Sequence, residues 1–164
     1  IKWINQILSW EPNARIVLHG VSMGAATVLM ASGEDLPENV KAVIADCGYT
    51  SEWDEFQREA DTLHIPWFPV LNATSVLSKV RDGYDFKQAS ALAQVKKSRI
   101  PTLFIHGSSD ELVPYSMLGE LYAAAACEKE ELTVEGAGHA LSSSVAPTLY
   151  WRTVEDFIAK YLDR

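Results

Sequence analysis

Basic residues are in short supply. Fourteen Lys and Arg stand against 22 Asp and Glu, for a formal net charge of −8. Phosphate backbones need a basic patch, and none is visible, which argues against nucleic acid as a partner. Long apolar runs are missing too: none approaches the ~20 residues that span a bilayer, and no signal-peptide pattern is present. Cysteine is limited to Cys47 and Cys127, without CxxC spacing, and the four histidines (His19, His64, His106, His139) are scattered. A structural zinc site is therefore not expected. Two buried free thiols are the expected state, which favours a reducing compartment and a cytoplasmic location. An initiator Met is also lacking. The chain opens at Ile1, already inside an amphipathic pattern of Trp3, Ile4, Ile7 and Leu8, and is expected to be a piece of a longer protein.

What is present suits one domain with a real core: 164 residues, 48% hydrophobic and 22% charged, as in ordinary globular chains. Helical and extended patterns alternate. After the opening helix and a Pro-containing turn at Glu11–Asn13 comes Arg15–His19, a short β-branched run that predicts a buried strand. Small and apolar residues from about Ser22 to Ser32 predict a helix, with Gly33 as its stop. Val40–Ala45 is a second strand. From Thr50 to Arg99 the rhythm breaks; that stretch carries Trp53, Phe56, Trp67, Phe68, Tyr84 and Phe86, punctuated by Pro66, Pro69 and Gly83. It predicts two or three short helices joined by turns. Pro101–His106 is a third strand, Tyr115–Ala126 a helix, Glu131–Val134 a fourth strand and Val145–Leu162 a closing amphipathic helix. Short continuous apolar strands separated by helices predict an α/β fold, a parallel sheet of about four strands covered on both faces.

The strongest local signal is Gly20-Val21-Ser22-Met23-Gly24, a G-x-S-x-G pattern placed after a predicted strand and at the start of a predicted helix. A sharp strand-to-helix turn there lifts the serine hydroxyl clear of the sheet, as in a nucleophile elbow. Small residues two before and two after are expected, because strand and helix backbones nearly touch. The helix directs its first N–H groups toward developing negative charge, making the Met23 N–H one oxyanion donor.

A nucleophilic serine needs a base, and the base an orienting acid. Past the third strand lies His106-Gly-Ser-Ser-Asp110, and past the fourth Gly136-Ala-Gly-His139. Both loops fall at the sheet edge where the elbow sits. Asp110 and His139 are the expected partners, in the chain order Ser, Asp, His. Asp46, at the end of the second strand, and Glu111 are rival acids. His106 and His19 are expected to be packed, hydrogen-bonded structural residues, and His64 exposed.

The runs Ile16–Val28 and Asp46–Ser51, the stretch His106–Asp110 with Val113-Pro114, and Gly138-His139 resemble bacterial α/β-hydrolases. They are most similar to a serine-hydrolase branch related to the prolyl-oligopeptidase and dienelactone-hydrolase groups. The resemblance covers essentially the whole chain and implies the C-terminal half of the fold, with strands corresponding to the fifth to eighth of eight. It implies a helical cap insertion over about residues 51–99, walling an apolar acyl pocket. The loop that supplies a second oxyanion donor would lie in the other half, and the first strand here would become an exposed sheet edge open to self-association. The implied activity is cleavage of small-molecule carboxylic esters through an acyl-enzyme, without metal or organic cofactor. A serine peptidase or amidase, an acyltransferase, and a catalytically impaired self-associating fragment are the alternatives.

Overall fold

A computed structural model describes residues 1–162. Its elements run α1 (Lys2–Trp10), β1 (Ile16–Val21), α2 (Met23–Ser32), β2 (Val40–Asp46), α3 (Glu52–Thr62) and α4 (Trp67–Asp82). A 3₁₀ turn (Phe86–Gln88) follows, then α5 (Ala91–Val95), β3 (Thr102–Gly107), α6 (Ser116–Ala124), β4 (Lys129–Val134), α7 (Ser142–Val145) and α8 (Pro147–Ala159). Among the described residues the strands form one parallel sheet in the order β1-β2-β3-β4.

Period-two alternation divides the core between the two faces of this sheet. Val43, Ala45 and Phe104 point one way, onto Ala25 and Leu29 of α2, Ala91 and Val95 of α5, and Leu118 and Leu121 of α6. Ala42, Ile44, Leu103 and Ile105 point the other way, onto Tyr150, Val154 and Phe157 of α8. Helices on both faces leave the central strands almost wholly buried, which explains their continuous apolar sequence.

Two expectations change in detail. The opening helix packs through Ile4, Ile7 and Leu8 against Ile16 and Val40, whereas Trp3, at the edge of that stripe, is 73% exposed. The closing helix is divided at Ala146 (φ −132°, ψ 62°), with Pro147 opening α8. Proline disfavours helical dihedrals in the residue before it and suits the first position of a helix.

The stretch after β2 has a defined neck. Ser51 and Ser90 form an isolated antiparallel bridge, and Glu52 N–H donates to Ala89 O at 2.9 Å while Leu92 N–H donates to Thr50 O at 2.9 Å. Beyond the neck stand α3, α4 and the 3₁₀ turn, joined by the edge-on rings of Phe56, Phe86 and Tyr84. α5 lies on the near side and belongs to the main core. Cys47 and Cys127 are free thiols, the first buried and the second half-buried. No helix among the described residues is long and apolar enough to cross a membrane.

Candidate active site

β1 ends at Val21 and α2 begins at Met23, so a single residue makes the turn. That residue, Ser22, has φ 56° and ψ −119°, a conformation that costs a non-glycine residue on the order of 1–3 kcal/mol. The turn is pinned from both ends: Ser22 N–H donates to Asp46 O at 2.9 Å, and Ser22 O accepts from Ala26 N–H at 3.0 Å. A Cβ on Gly20 would collide with the carbonyl of Gly24, whereas a Cβ on Gly24 meets nothing within 4 Å. The close approach therefore demands a bare residue on the strand side only. Gly24 is needed for its backbone position, which any residue supplies.

Asp110 sits in the loop after β3, with its side chain closed to solvent. Its Oδ1 accepts the backbone N–H groups of Leu112 (3.0 Å) and Val113 (2.9 Å). Its Oδ2 lies 2.9 Å from His139 Nδ1. On the far side of that imidazole, Nε2 lies 2.8 Å from Ser22 Oγ. A carboxylate only accepts, so Nδ1 carries the proton and Nε2 is the acceptor for the serine hydroxyl. The structure thus brings Ser22, His139 and Asp110 into one directed hydrogen-bond chain.

The two loops that carry His139 and Asp110 are stitched together. Ser108 N–H donates to Val134 O and Ser109 N–H to Ala137 O, both at 3.0 Å. Ser108 Oγ donates to Glu135 Oε2 at 2.9 Å and accepts from Gly136 N–H at 2.9 Å. Gly107 makes this possible: a Cβ there would strike the carbonyl of Ala137.

The remaining sequence candidates fall outside the chain of hydrogen bonds. Asp46 is buried and turned away, its Oδ1 accepting from Ser142 Oγ at 3.0 Å. Burial raises its carboxyl above the ordinary range, opposed by hydrogen bonds from Ser142 and Tyr150. His19 Nε2 lies 3.0 Å from the Tyr150 hydroxyl, and burial lowers its pKa. Glu111 and His64 are exposed. His106 is buried beside Asp110, its Nε2 3.0 Å from Val113 O.

Three neighbours escaped the sequence. Cys47 directly follows β2 at φ 47°, and its thiol lies within 4.8 Å of ligand-type atoms on Asp110 and His139. That trio has the atom types of a metal site. Its Asp110 and His139 atoms already face each other, and burial, followed by the nearby Asp46 charge, pushes the thiol up to about 12. Its placement was readable only from its position at the C-terminal end of a central strand. The other two, Glu55 and Arg58, come from α3. Arg58 Nη1 donates to Glu111 O at 3.4 Å, and its Nη2 lies 3.3 Å from Glu55 Oε1. Burial raises the Glu55 carboxyl, opposed first by Arg58 and more weakly by His139. Charged residues at three-residue spacing (Glu52, Glu55, Arg58) on an otherwise aromatic insertion were the available signal.

Between α3 and α4 an apolar cavity of about 320 Å³ is lined by Phe56, Leu63, Ile65, Trp67, Val70 and Phe86, among others. Ser22, Asp110 and His139 do not line it. The cavity is built wholly from side chains of the insertion.

A family model described as the prolyl oligopeptidase family matches residues 2–164. The chain belongs to that family. As a prolyl oligopeptidase family member it is 32% identical over 146 residues to the uncharacterised protein YqkD of Bacillus subtilis, covering 87% of this chain and 47% of that protein. It spans about half the length of the curated relatives it matches. Among solved structures it is similar to the Pyrococcus furiosus esterase Pf2001 (TM-score 0.73, 19% identity, 98% of this chain and 60% of that one). It is also similar to the acylaminoacyl peptidase of Pyrococcus horikoshii (TM-score 0.72, 17% identity, 98% and 27%). At these identities the likeness shows the fold, which is that of the α/β-hydrolases. Family match and likeness together show a prolyl oligopeptidase family chain with the α/β-hydrolase fold.

Proposed function

We propose that Ser22, His139 and Asp110 are the catalytic triad of a serine hydrolase whose preferred substrates are carboxylic esters. The observation that carries this reading is the directed chain from Ser22 Oγ through His139 to Asp110, at 2.8 and 2.9 Å. His139 Nε2 takes the hydroxyl proton as Ser22 Oγ attacks the ester carbonyl carbon. Asp110 holds the imidazole in the required tautomer and stabilises the imidazolium. The Met23 N–H, at the head of α2, donates to the tetrahedral oxyanion, with the dipole of that helix behind it. His139 then protonates the leaving alcohol, and water resolves the acyl-enzyme by the same steps in reverse. These steps use protein groups alone. The insertion stands as a cap at the flank of the site, tied there by Arg58.

Membership of the prolyl oligopeptidase family favours a second reading, in which the acyl group comes from a peptide or an acylated amino acid. The triad chemistry is the same; only the leaving group differs.

The first test is intact-mass analysis after exposure to a fluorophosphonate. One adduct on the parent and none on Ser22→Ala is the expected result. A folded parent left unlabelled, both as this chain and within the longer protein, would overturn the assignment. Parallel turnover of p-nitrophenyl esters and aminoacyl anilides then separates the two substrate classes; faster anilide cleavage at matched acyl groups would favour the peptidase.

A further inference from the structure

By sequence alone the triad ends at Asp110. In the structure a fourth side chain stands behind it. His106, the fifth residue of β3, is 1% exposed, and its Nε2 lies 3.3 Å from Asp110 Oδ2, the oxygen that meets His139. The same nitrogen lies 3.0 Å from Val113 O. A carbonyl can only accept, so Nε2 must carry the hydrogen. That N–H reaches across the acid loop, from the strand that leads into it to the residue whose own N–H binds Asp110 Oδ1 at 2.9 Å.

We infer that His106 is a positioning residue for the triad acid, acting as an Nε2–H donor. This rests on the proposed role of Asp110. Two effects follow from one hydrogen. Clamping Val113 O closes the turn Gly107–Val113 and so sets the two amides that grip Oδ1. The positive end of the N–H dipole also lies close to Oδ2, with Nε2 at 3.3 Å, where it stabilises the buried charge. Tyr115, edge-on to His106 with ring centroids 5.9 Å apart, fixes the plane of the ring. The Tyr115 hydroxyl is itself 2.7 Å from Thr133 Oγ1 on β4. Acid, clamp and neighbouring strand are thereby one rigid unit.

The inference is tested first on the unmodified chain. Long-range ¹H–¹⁵N correlation spectra report which ring nitrogen of His106 is protonated. The Nε2–H tautomer is expected; the Nδ1–H tautomer would overturn the inference, since it has no proton to give Val113. The second test compares His106→Gln, which keeps an N–H at similar reach, with His106→Leu, which has none. Fluorophosphonate labelling of the Gln variant should stay close to the parent. The Leu variant, folded by circular dichroism, should label about 10- to 100-fold more slowly, the scale on which hydrogen-bond partners that orient metal-binding histidines and carboxylates act. A folded Leu variant labelling at the parental rate would sink the proposal. If Leu does not fold, His106→Asn, too short to reach Val113, replaces it with the same expectation. The tautomer measurement does not depend on activity. A parent that shows the Nε2–H form but resists labelling would therefore count against the proposed hydrolase and not against the clamp.

Discussion

Asp110 Oδ2 stands 2.9 Å from His139 Nδ1, with the carboxylate closed to solvent and the imidazole one-fifth exposed. The pair is therefore buried at the carboxylate and open at the imidazole. Asp46 offers the contrast. It ends β2 one strand away and is also buried, yet its Oδ1 is occupied by Ser142. Replacing Asp110 with Asn should leave the fold intact but present the wrong imidazole tautomer, lowering turnover or labelling by about 10⁴-fold. Asp46→Asn should label close to the parent. If the two variants exchange these outcomes, the acid has been misassigned.

Gly20 and Gly24 look equivalent in the motif and are not. A methyl at Gly20 meets backbone, which cannot move aside, while one at Gly24 meets open space. Gly20→Ala should destabilise the chain by roughly 1–3 kcal/mol or more, as forced overpacking does, and slow labelling of Ser22 with it. Gly24→Ala should melt near the parent. Thermal melts of the two variants decide the matter; equal losses would show that the elbow does not depend on the close approach at Gly20.

Much of this was legible in the sequence because strand-ending loops are short. Once Ile16–Val21, Val40–Asp46, Thr102–Gly107 and Lys129–Val134 are recognised as parallel strands, their C-terminal ends must share one edge. Ser22 and His139 follow directly, with Asp110 and Asp46 as the acids on the same edge. What local pattern could not show was which acid points at the base, because Asp46 and Asp110 share that edge and differ in side-chain direction. Nor could it show Arg58 against Glu111. That contact depends on how the neck at Ser51 and Ser90 tilts the insertion, and no periodicity encodes that angle.

Burial of Asp46 makes stability depend on pH in a defined direction. The folded chain holds the Asp46 proton more tightly than the unfolded chain. The associated stability is full below the unfolded carboxyl value of about 4 and is lost as pH rises through the raised folded value. Hydrogen bonds from Ser142 and Tyr150, and more weakly the imidazoles of His106 and His19, only partly oppose the shift. Asn cannot ionise, so the urea midpoint of Asp46→Asn minus that of the parent should grow between pH 4 and pH 8. Glu52 and Glu55, also raised by burial, are common to both proteins and cancel in the difference. A difference that is flat or shrinks over that range would contradict a raised Asp46 pKa.

The two edges of the sheet are unlike. β4 carries Lys129, Glu130 and Glu131, with Lys160 closing on Glu130 at 2.7 Å, and such charges discourage edge pairing. β1 reads Ile-Val-Leu-His-Gly-Val, without an acidic residue, lysine or arginine, and among the described residues it pairs on one side only. Its last residue Val21 is 42% exposed, and beside the strand Met23 and Trp151 are 70% and 49% exposed, with Trp151 set edge-on to His19 of the strand. An uncharged edge flanked by apolar side chains favours pairing with a second strand, from another copy or from the remainder of a longer protein. The isolated 164-residue chain should therefore sediment as a concentration-dependent mixture of monomer and larger species. Val21→Lys, which places a charge on that edge, should shift the mixture toward monomer. A parent that remains monomeric at every concentration, with Val21→Lys no different, would show that twist and flanking side chains already protect the edge.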